Sequence, residues 1–272
     1  MKDIIAVDAN TGQVIDDGIT IISHDCIRST KRQPIYTDFY WILYHASHSL
    51  LDDTISGSNL TRYLFLCTYI GHDNRLYHNR NHPMKKEDLP DVLELSRSMT
   101  ASLLAECMEK KLLTIDLDDT ITISSQYIRI GKLPQRILRS GADITRVFKK
   151  AVRELYRKSD ARAHKTLAYL FALLPHCNVA YNIICANPLQ KDKELIEPLS
   201  WAAIADLIGY QRSNACKLKH ILLDLDIDGI AAVKTVTSKY HEQIYINPDI
   251  FYAGDKADEV NILCCFDRQT ES

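Results

Sequence analysis

The order of predicted elements in this chain occurs twice, and this duplication limits the folds that the chain can adopt. From residue 58 an apolar helix (NLTRYLFLCTYI), a short extended segment (RLYHN), two amphipathic helices and alternating strands follow one another. From residue 161 the same order returns, beginning with the apolar helix HKTLAYLFALL. A helix followed by a helix-turn-helix and a β-hairpin is the plan of a winged helix. The sequence therefore predicts an α+β, mostly helical fold of tandem winged-helix domains.

The second helix-turn-helix, residues 200–225, carries the clearer signals. Ser200 is suited to cap its first helix, and Gly209 is suited to end that helix in a left-handed conformation. The second helix begins near Gln211, and two strands follow it at residues 230–236 and 243–246, joined by a polar turn. Its apolar face comprises Ala215, Leu218, Ile221, Leu222 and Leu225.

The remaining faces of this second helix carry polar and basic side chains. No acidic residue occurs between positions 207 and 223. A recognition helix enters the major groove by its N-terminal turns, which places such side chains against base edges and phosphates. We therefore predict a DNA-binding surface on this helix and the following hairpin. Its residues are Gln211, Arg212, Ser213, Asn214, Lys217, Lys219, Lys234 and Lys239.

The first helix-turn-helix has a more balanced charge. Ser96 is suited to cap its second helix, and the sequence Asp88-Leu89-Pro90 suits the start of its first. The second helix offers Arg97 early, but Glu106 and Glu109 follow it. We include Arg97 among the DNA contacts and expect this copy to contribute a weaker contact or to mediate self-association.

A basic segment separates the two copies. From Asp143 onward the apolar spacing predicts a helix, whose opposite stripe carries Arg146, Lys150, Arg153 and Arg157. Such a stripe either tracks DNA phosphates or is simply a solvated helix face, and the sequence leaves both readings open. The predicted domains are a first winged helix with an N-terminal arm (1–134), a basic linker helix (135–160), and a second winged helix with a tail (161–272).

The string DLDDT at residues 116–120 matches the DxDxT nucleophile motif of haloacid-dehalogenase-like phosphotransferases. In such an enzyme Asp116 would attack phosphorus and Asp118 would handle the proton, at the end of a buried parallel strand and beside Mg²⁺. Here the motif follows an amphipathic helix and precedes an alternating strand, which is the setting of a hairpin tip. The matching point of the second copy, DLDIDG at residues 224–229, resembles the start of a calcium loop but has Thr235 where a bidentate Glu is needed. An acidic turn is the favoured interpretation at both places.

Composition narrows the function classes further. The 272 residues carry a net charge of −2, so any DNA contact must come from local patches. The eight cysteines form no CxxC pair, and the histidines have no HExxH setting, so we expect neither a metal nor a cofactor. The N-terminus lacks a secretory or transit signal, and no apolar run is long enough to cross a bilayer. These features predict a cytoplasmic protein without a membrane partner.

Three stretches of the chain resemble the winged-helix replication initiator proteins of bacterial plasmids and phages. They are VDANTGQVIDDG near the N-terminus, SGSNLTRYLFLCTYI before the first helix-turn-helix, and YINPDIFYAG near the end. The resemblance touches both copies and implies binding to repeated sequences of double-stranded DNA at a replication origin. It also implies recruitment of host replication proteins and a homodimer formed through the first winged helix.

Other functions remain alternatives to replication initiation. A transcriptional regulator would use the same contacts, and the sequence does not separate it from an initiator. No two histidines are separated by one residue, so the metal site of a rolling-circle nickase is missing. We therefore expect a protein that acts by binding and is not an enzyme, with a phosphatase through Asp116 and Asp118 as a remote alternative.

Overall fold

The computed structural model describes residues 38–43, 55–79, 82–131, 133, 144–237, 242–254, 262 and 266. Its architecture mixes helices with small antiparallel sheets. The elements of the first half are β1 (Phe39–Leu43), α1 (Gly57–Leu66), β2 (Tyr77–Asn79), β3 (His82–Pro83), α2 (Leu89–Leu93), α3 (Arg97–Glu109), β4 (Leu113–Ile115), β5 (Ile121–Ile123) and β6 (Ile128–Arg129).

Within the described residues, the second half adds three strands of five residues, three strands of two residues and four helices of varied length. These are β7 (Ile144–Phe148), α4 (Lys149–Lys158), α5 (His164–Ala172), α6 (Trp201–Leu207), α7 (Ala215–Leu223), β8 (Asp226–Ile227), β9 (Ile230–Ala231), β10 (Val233–Thr237), β11 (Glu242–Ile246) and β12 (Phe251–Tyr252). A short 3₁₀ helix, Arg212–Asn214, leads directly into α7.

Each half follows the order of elements predicted from the sequence. In the first, the extended segment bridges the hairpin strand at Arg75 and Thr122, and β4 pairs with β5. In the second, the segment at Ile183 bridges Tyr245, and β10 pairs with β11. In both halves, therefore, the extended segment adds to the hairpin that follows the two helices. The further description of these units as winged helices stays a prediction.

The predicted ends of the second helix pair are confirmed. The Ser200 hydroxyl accepts a hydrogen bond from the Ala203 amide at 3.2 Å, and Gly209 has a φ of +67°. The same holds for Ser96, whose hydroxyl accepts from the Met99 amide at the start of α3. The apolar face of α7 is also present, with Leu218 and Leu222 fully buried.

The prediction of a helix from Asp143 was wrong for residues 144–148. These residues form β7, and the helix α4 begins only at Lys149. β7 lies inside a four-stranded antiparallel sheet of order β12-β7-β1-β6, where both of its edges are paired. Its β-branched residues favour an extended backbone once partner strands are available, and the helical spacing alone did not reveal those partners.

The sheet and the core join the two halves of the chain. The sheet combines β1 and β6 with β7 and β12, and α1 packs along α5. The Thr61 hydroxyl donates to the His164 carbonyl at 2.8 Å across this helix pair. The helix α4 buries Ala151, Val152 and Leu155 in the same core. Residues 149–158 are thus a packed helix, while the proposed domain limits at 134 and 160 remain a prediction.

Candidate nucleic-acid interface

The most exposed polar surface among the predicted contacts is the segment that opens α7. Leu218 and Leu222 are buried against the core, so the opposite side of the helix is turned to solvent. The tight turn before it is fixed by a hydrogen bond from the Tyr210 amide to the Ala205 carbonyl at 2.8 Å. The exposed residues of this segment are Gln211, Arg212, Ser213, Asn214, Cys216 and Lys217.

The structure pairs Arg212 with an acid of the preceding helix. Its Nη1 lies 2.7 Å from Oδ2 of Asp206, and the two side chains are 70% and 46% exposed. An ion pair with this exposure contributes about 0–1 kcal/mol, so exchange for another anion costs little. Beside it, the Asn214 amide donates to the Gln211 side chain at 2.8 Å. Within the described part of the chain, Lys217 forms no ion pair.

The other basic residues predicted for this surface have different surroundings. Lys219 lies 2.6 Å from Glu242 on β11 and sits over the ring of Trp201, so it joins α7 to the hairpin. Lys234 lies on β10, half-buried and opposite Tyr245. Lys239 lies outside the described residues. Lys219 is therefore placed to orient the hairpin against the helix.

The basic stripe predicted for residues 143–157 makes contacts within the protein. The Arg146 guanidinium donates to the carbonyls of Tyr252 and Gly254 and stacks on the Tyr252 ring. Arg153 donates to the side chain and carbonyl of Thr68, at 2.9 and 2.7 Å. These two arginines tie β7 and α4 to neighbouring elements. Lys150, another member of the stripe, pairs with Asp228 instead.

Lys150 and Lys158 contact the acidic turn that follows α7. Lys150 lies 2.7 Å from Asp228, and Lys158 lies 2.6 Å from Asp226 and 3.0 Å from Glu154. The lysines lower the pKa of both aspartates, chiefly through these hydrogen bonds. Two carboxylates of the calcium-like string thus face lysine ammonium groups. In the residues that the structure covers, no cluster of three or more His, Cys, Asp or Glu side chains is arranged to hold a metal ion.

The DLDDT string forms the tip of the β4–β5 hairpin, as its sequence setting predicts. Thr114 pairs with Thr122, and Asp119 has a φ of +63° at the turn. Asp116 pairs with Arg75 at 3.3 Å. The Asp118 carboxylate accepts from the Thr120 hydroxyl at 2.8 Å, which lowers the pKa of that carboxyl. The string therefore stands on an antiparallel hairpin and not at the end of a parallel strand.

The candidate residue of the first copy, Arg97, is exposed at the start of α3. Glu106, which balanced its charge in the sequence, turns toward α1 and accepts hydrogen bonds from Ser56 and from the Asn59 amide. Its carboxylate thus accepts hydrogen bonds from groups at the start of α1. The exposed face of α3 is thus less acidic than the sequence of the helix implies.

Sequence reasoning missed the partners of the basic side chains. Asp206 lies six positions before Arg212, across a turn, and Thr68 lies 85 positions before Arg153. A pattern confined to one helix contains no signal for such contacts. The lysines opposite Asp226 and Asp228 share this property, because they come from a helix about seventy positions earlier.

Comparison with known proteins gives no independent guide to the site. We find no match to this chain among protein-family models, curated proteins or solved structures. Within the described ranges, none of the helices has the length and apolar character needed to span a bilayer.

Proposed function

We propose that the protein binds double-stranded DNA through residues 211–217 and the β10–β11 hairpin, as a tandem winged-helix replication initiator. The observation that carries this proposal is the exposed, acid-free opening of α7 above the buried Leu218 and Leu222. A helix held by its apolar face, with its polar N-terminal turns in solvent, has the form required for entry into the major groove.

The predicted contacts have different roles on this proposal. Gln211, Arg212 and Asn214 have the donors and acceptors that read base edges, while Lys217 and Lys234 suit phosphates. Lys219 acts indirectly by holding the hairpin against α7. Arg146, Lys150 and Arg153 are engaged within the protein, so we give them no leading part in DNA contact. Arg97 supplies a weaker contact from the first copy.

Base readout by Arg212 requires that its guanidinium leave Asp206. A bidentate contact with guanine is worth about 1–3 kcal/mol of discrimination. This exceeds the roughly 0–1 kcal/mol of an exposed ion pair. Replacement of Asp206 by a guanine as the partner of Arg212 is therefore favourable. In the free protein, the ion pair with Asp206 holds the Arg212 side chain near the position from which it would contact DNA.

Fluorescence anisotropy with labelled duplexes tests the proposal. A pool of random duplexes is first selected on the full-length protein, and the enriched sequence is compared with an unselected duplex. We expect Arg212→Ala to weaken the selected duplex more than the unselected one. Lys217→Ala should weaken both equally, and Lys191→Ala, which lies before α6, serves as the charge-matched control. Equal affinity of all four proteins for every duplex would remove the proposal.

The assignment to replication, and not to transcriptional control, rests on the resemblance of three stretches to plasmid and phage initiators. Two of these stretches lie within the described residues, and both contribute to the core. The first includes α1, which is buried along most of its length, and the second includes Asn247, which is fully buried. The resemblance extends to a homodimer that recruits host replication proteins. From the sequence itself we further propose a cytoplasmic protein that acts by binding alone. Interrupting the gene on its native replicon should abolish replication, whereas unchanged replication would favour a regulator.

A further inference from the structure

A cavity of about 520 Å³ opens in the first half of the molecule, away from α7. It lies between the turn at residues 72–74 and the base of the β4–β5 hairpin. Its volume falls within the roughly 300–1,000 Å³ that is typical of small-molecule sites. The polar residues that line it include His72, Asp73, Asn74, Ser124, Ser125 and Arg129.

Arg129 is the main cation of this cavity, and no described carboxylate pairs with it. It lies on β6, half-buried, and its buried Nε has no hydrogen-bond partner among the residues that the structure covers. Within the described residues, its guanidinium forms no ion pair. A partly desolvated cation without a counter-charge is unfavourable, because the lost hydration is not replaced. The position of Arg129 thus favours the arrival of an anion.

The acid that lines the same cavity is already engaged elsewhere. Asp73 accepts from the Tyr77 hydroxyl at 2.7 Å and from the Arg75 amide at 3.2 Å. These hydrogen bonds lower its pKa, although burial acts in the opposite direction. Asp73 therefore remains ionised and holds the 72–74 turn in place, so it does not neutralise Arg129.

The remaining lining groups supply further hydrogen-bond donors. Ser124 and Ser125 present hydroxyl groups, and the imidazole of His72 can donate from one nitrogen. The Ser124 carbonyl accepts from the amides of Tyr127 and Ile128, both at 3.3 Å, which fixes the turn that carries the two serines. A guanidinium with several further donors is the chemistry that recognises a phosphoryl group, because phosphate offers several acceptor oxygens.

We propose that this cavity is a binding site for a phosphate ester, with Arg129 as its principal anchor. The cavity is larger than a phosphate group alone needs, and Leu113 and Ile123 also line it. These features accommodate the organic part of a mononucleotide. A phosphodiester of the DNA backbone would offer the same anion, so the two sources share one chemistry. The site does not depend on DNA binding by α7.

Calorimetric titration of the full-length protein with a nucleoside monophosphate, at constant ionic strength, tests the site. Charge-assisted hydrogen bonds contribute about 1.5–3 kcal/mol, so Arg129→Gln should weaken binding roughly 10- to 100-fold. Arg162→Gln removes an equal charge outside the cavity and should bind like wild type. Ser125→Ala changes an exposed side chain, so it should fold like wild type and should weaken binding several-fold even if the Arg129 variant folds poorly.

The tryptophan on the neighbouring strand provides a second readout. Trp41 lies directly opposite Arg129 in the β1–β6 pair, and its Nε1 donates to the Gly131 carbonyl at 2.9 Å. Side chains of directly opposed residues are close in space. Saturating phosphate ester should therefore shift the tryptophan emission of wild type and Arg162→Gln, but not that of Arg129→Gln.

Duplex binding separates the two sources of phosphate. A DNA backbone contact at Arg129 would reduce the salt slope of duplex binding by about 0.9 in Arg129→Gln, and the nucleoside monophosphate would bind only weakly. A nucleotide site would instead show tight nucleotide binding and an unchanged salt slope. If Arg129→Gln matches wild type in nucleotide binding, emission and salt slope, the proposal is overturned, whatever the α7 variants do.

Discussion

The ammonium group of Lys158 lies 2.6 Å from Oδ1 of Asp226, and this contact ties α4 to the turn that follows α7. Lys150 repeats the arrangement with Asp228 at 2.7 Å. Glu154, between the two lysines on α4, accepts from the backbone amide of Asp228. The three residues of α4 form a clamp, Lys150-Glu154-Lys158, that holds residues 226–228, just after the proposed recognition helix.

The clamp should make stability depend on pH and salt. The pKa values of Asp226 and Asp228 are lower in the folded protein than in the unfolded chain, where they lie near 4. Their contribution to the free energy of unfolding is therefore present above about pH 4, and it is lost as the pH falls through their pKa values in the folded protein. The pKa of Lys158 is raised, so its share is lost only as pH rises above about 10. Asp226→Asn should cost about 0–1 kcal/mol in urea unfolding at pH 7, and less in high salt.

A salt-independent loss of several kcal/mol in Asp226→Asn would contradict this account of the clamp. Asp224→Asn is a suitable control, because Asp224 is exposed in the same acidic string and forms no ion pair within the described residues. Its unfolding free energy should match that of wild type to within about 0.5 kcal/mol.

We expect Arg153 to stabilise the fold and not to contact DNA. Its guanidinium lies 4.5 Å from the Tyr69 ring centre and makes two hydrogen bonds to Thr68. Arg153→Gln should therefore lower the free energy of unfolding by about 1–3 kcal/mol. Arg157→Gln, an exposed neighbour on the same helix, should change it by less than about 0.5 kcal/mol. Similar small changes in both variants, with a loss of DNA affinity, would restore the phosphate-tracking reading of this stripe.

Removal of the acid beside Arg212 should strengthen DNA binding. In Asp206→Asn the guanidinium has no ion pair to break, and the repulsion between Asp206 and DNA phosphates is also relieved. Because an exposed pair contributes up to about 1 kcal/mol, the affinity should rise by up to about five-fold. Anisotropy titration of the selected duplex measures this gain. When Asp206→Asn is made in an Arg212→Ala background, the gain in affinity should be only the part that comes from relieved phosphate repulsion. If Asp206→Asn raises the affinity equally with and without Arg212, the proposed exchange of Arg212 from Asp206 to DNA is wrong.

The buried His164 should lower stability in mild acid. Burial, together with the nearby Arg62, lowers its pKa to about 4, and the side chain is only 2% exposed. The unfolded chain takes up a proton near pH 6.5 while the folded protein does not, so stability falls between about pH 6.5 and 4. The slope expected from this group is about 1.4 kcal/mol per pH unit in urea titrations.

His164→Gln provides the control for that slope. Glutamine does not titrate and keeps an acceptor near the Arg62 guanidinium, which lies 3.4 Å from the imidazole Nδ1. The variant should be less stable at pH 7, because the stacking of His164 on Tyr156 is lost. Its stability should nevertheless vary less between pH 6.5 and 4. An unchanged slope would assign the acid sensitivity to other groups.

The hairpin tip should show no phosphatase activity. Asp116 is paired with Arg75, and Leu117 between the two acids is fully exposed to solvent. We expect no magnesium-dependent hydrolysis of an aryl phosphate by the wild-type protein, and identical background rates in Asp116→Asn. Hydrolysis that requires magnesium and disappears in this variant would revive the enzyme alternative.

Several features of this molecule could be predicted from the sequence because they depend on contacts between residues close in the chain. Ser96, Ser200 and Gly209 act on backbone groups within a few residues, so their positions alone predicted the helix ends that the structure confirms. The acidic string at residues 116–120 was predictable as a hairpin tip for the same reason, since helix and strand patterns flank it directly.

The tertiary structure alone decided which charges remain free. Arg146, Lys150, Arg153 and Arg212 looked equally available on their helices, yet each has a partner from a separate element. Residues 144–148 became a strand because β1 and β12 offered hydrogen bonds to both edges. Helical spacing shows only which side chains of a segment would share one face of a helix. Ion pairs and sheet edges depend on segments that are distant in the chain and meet only in the folded state.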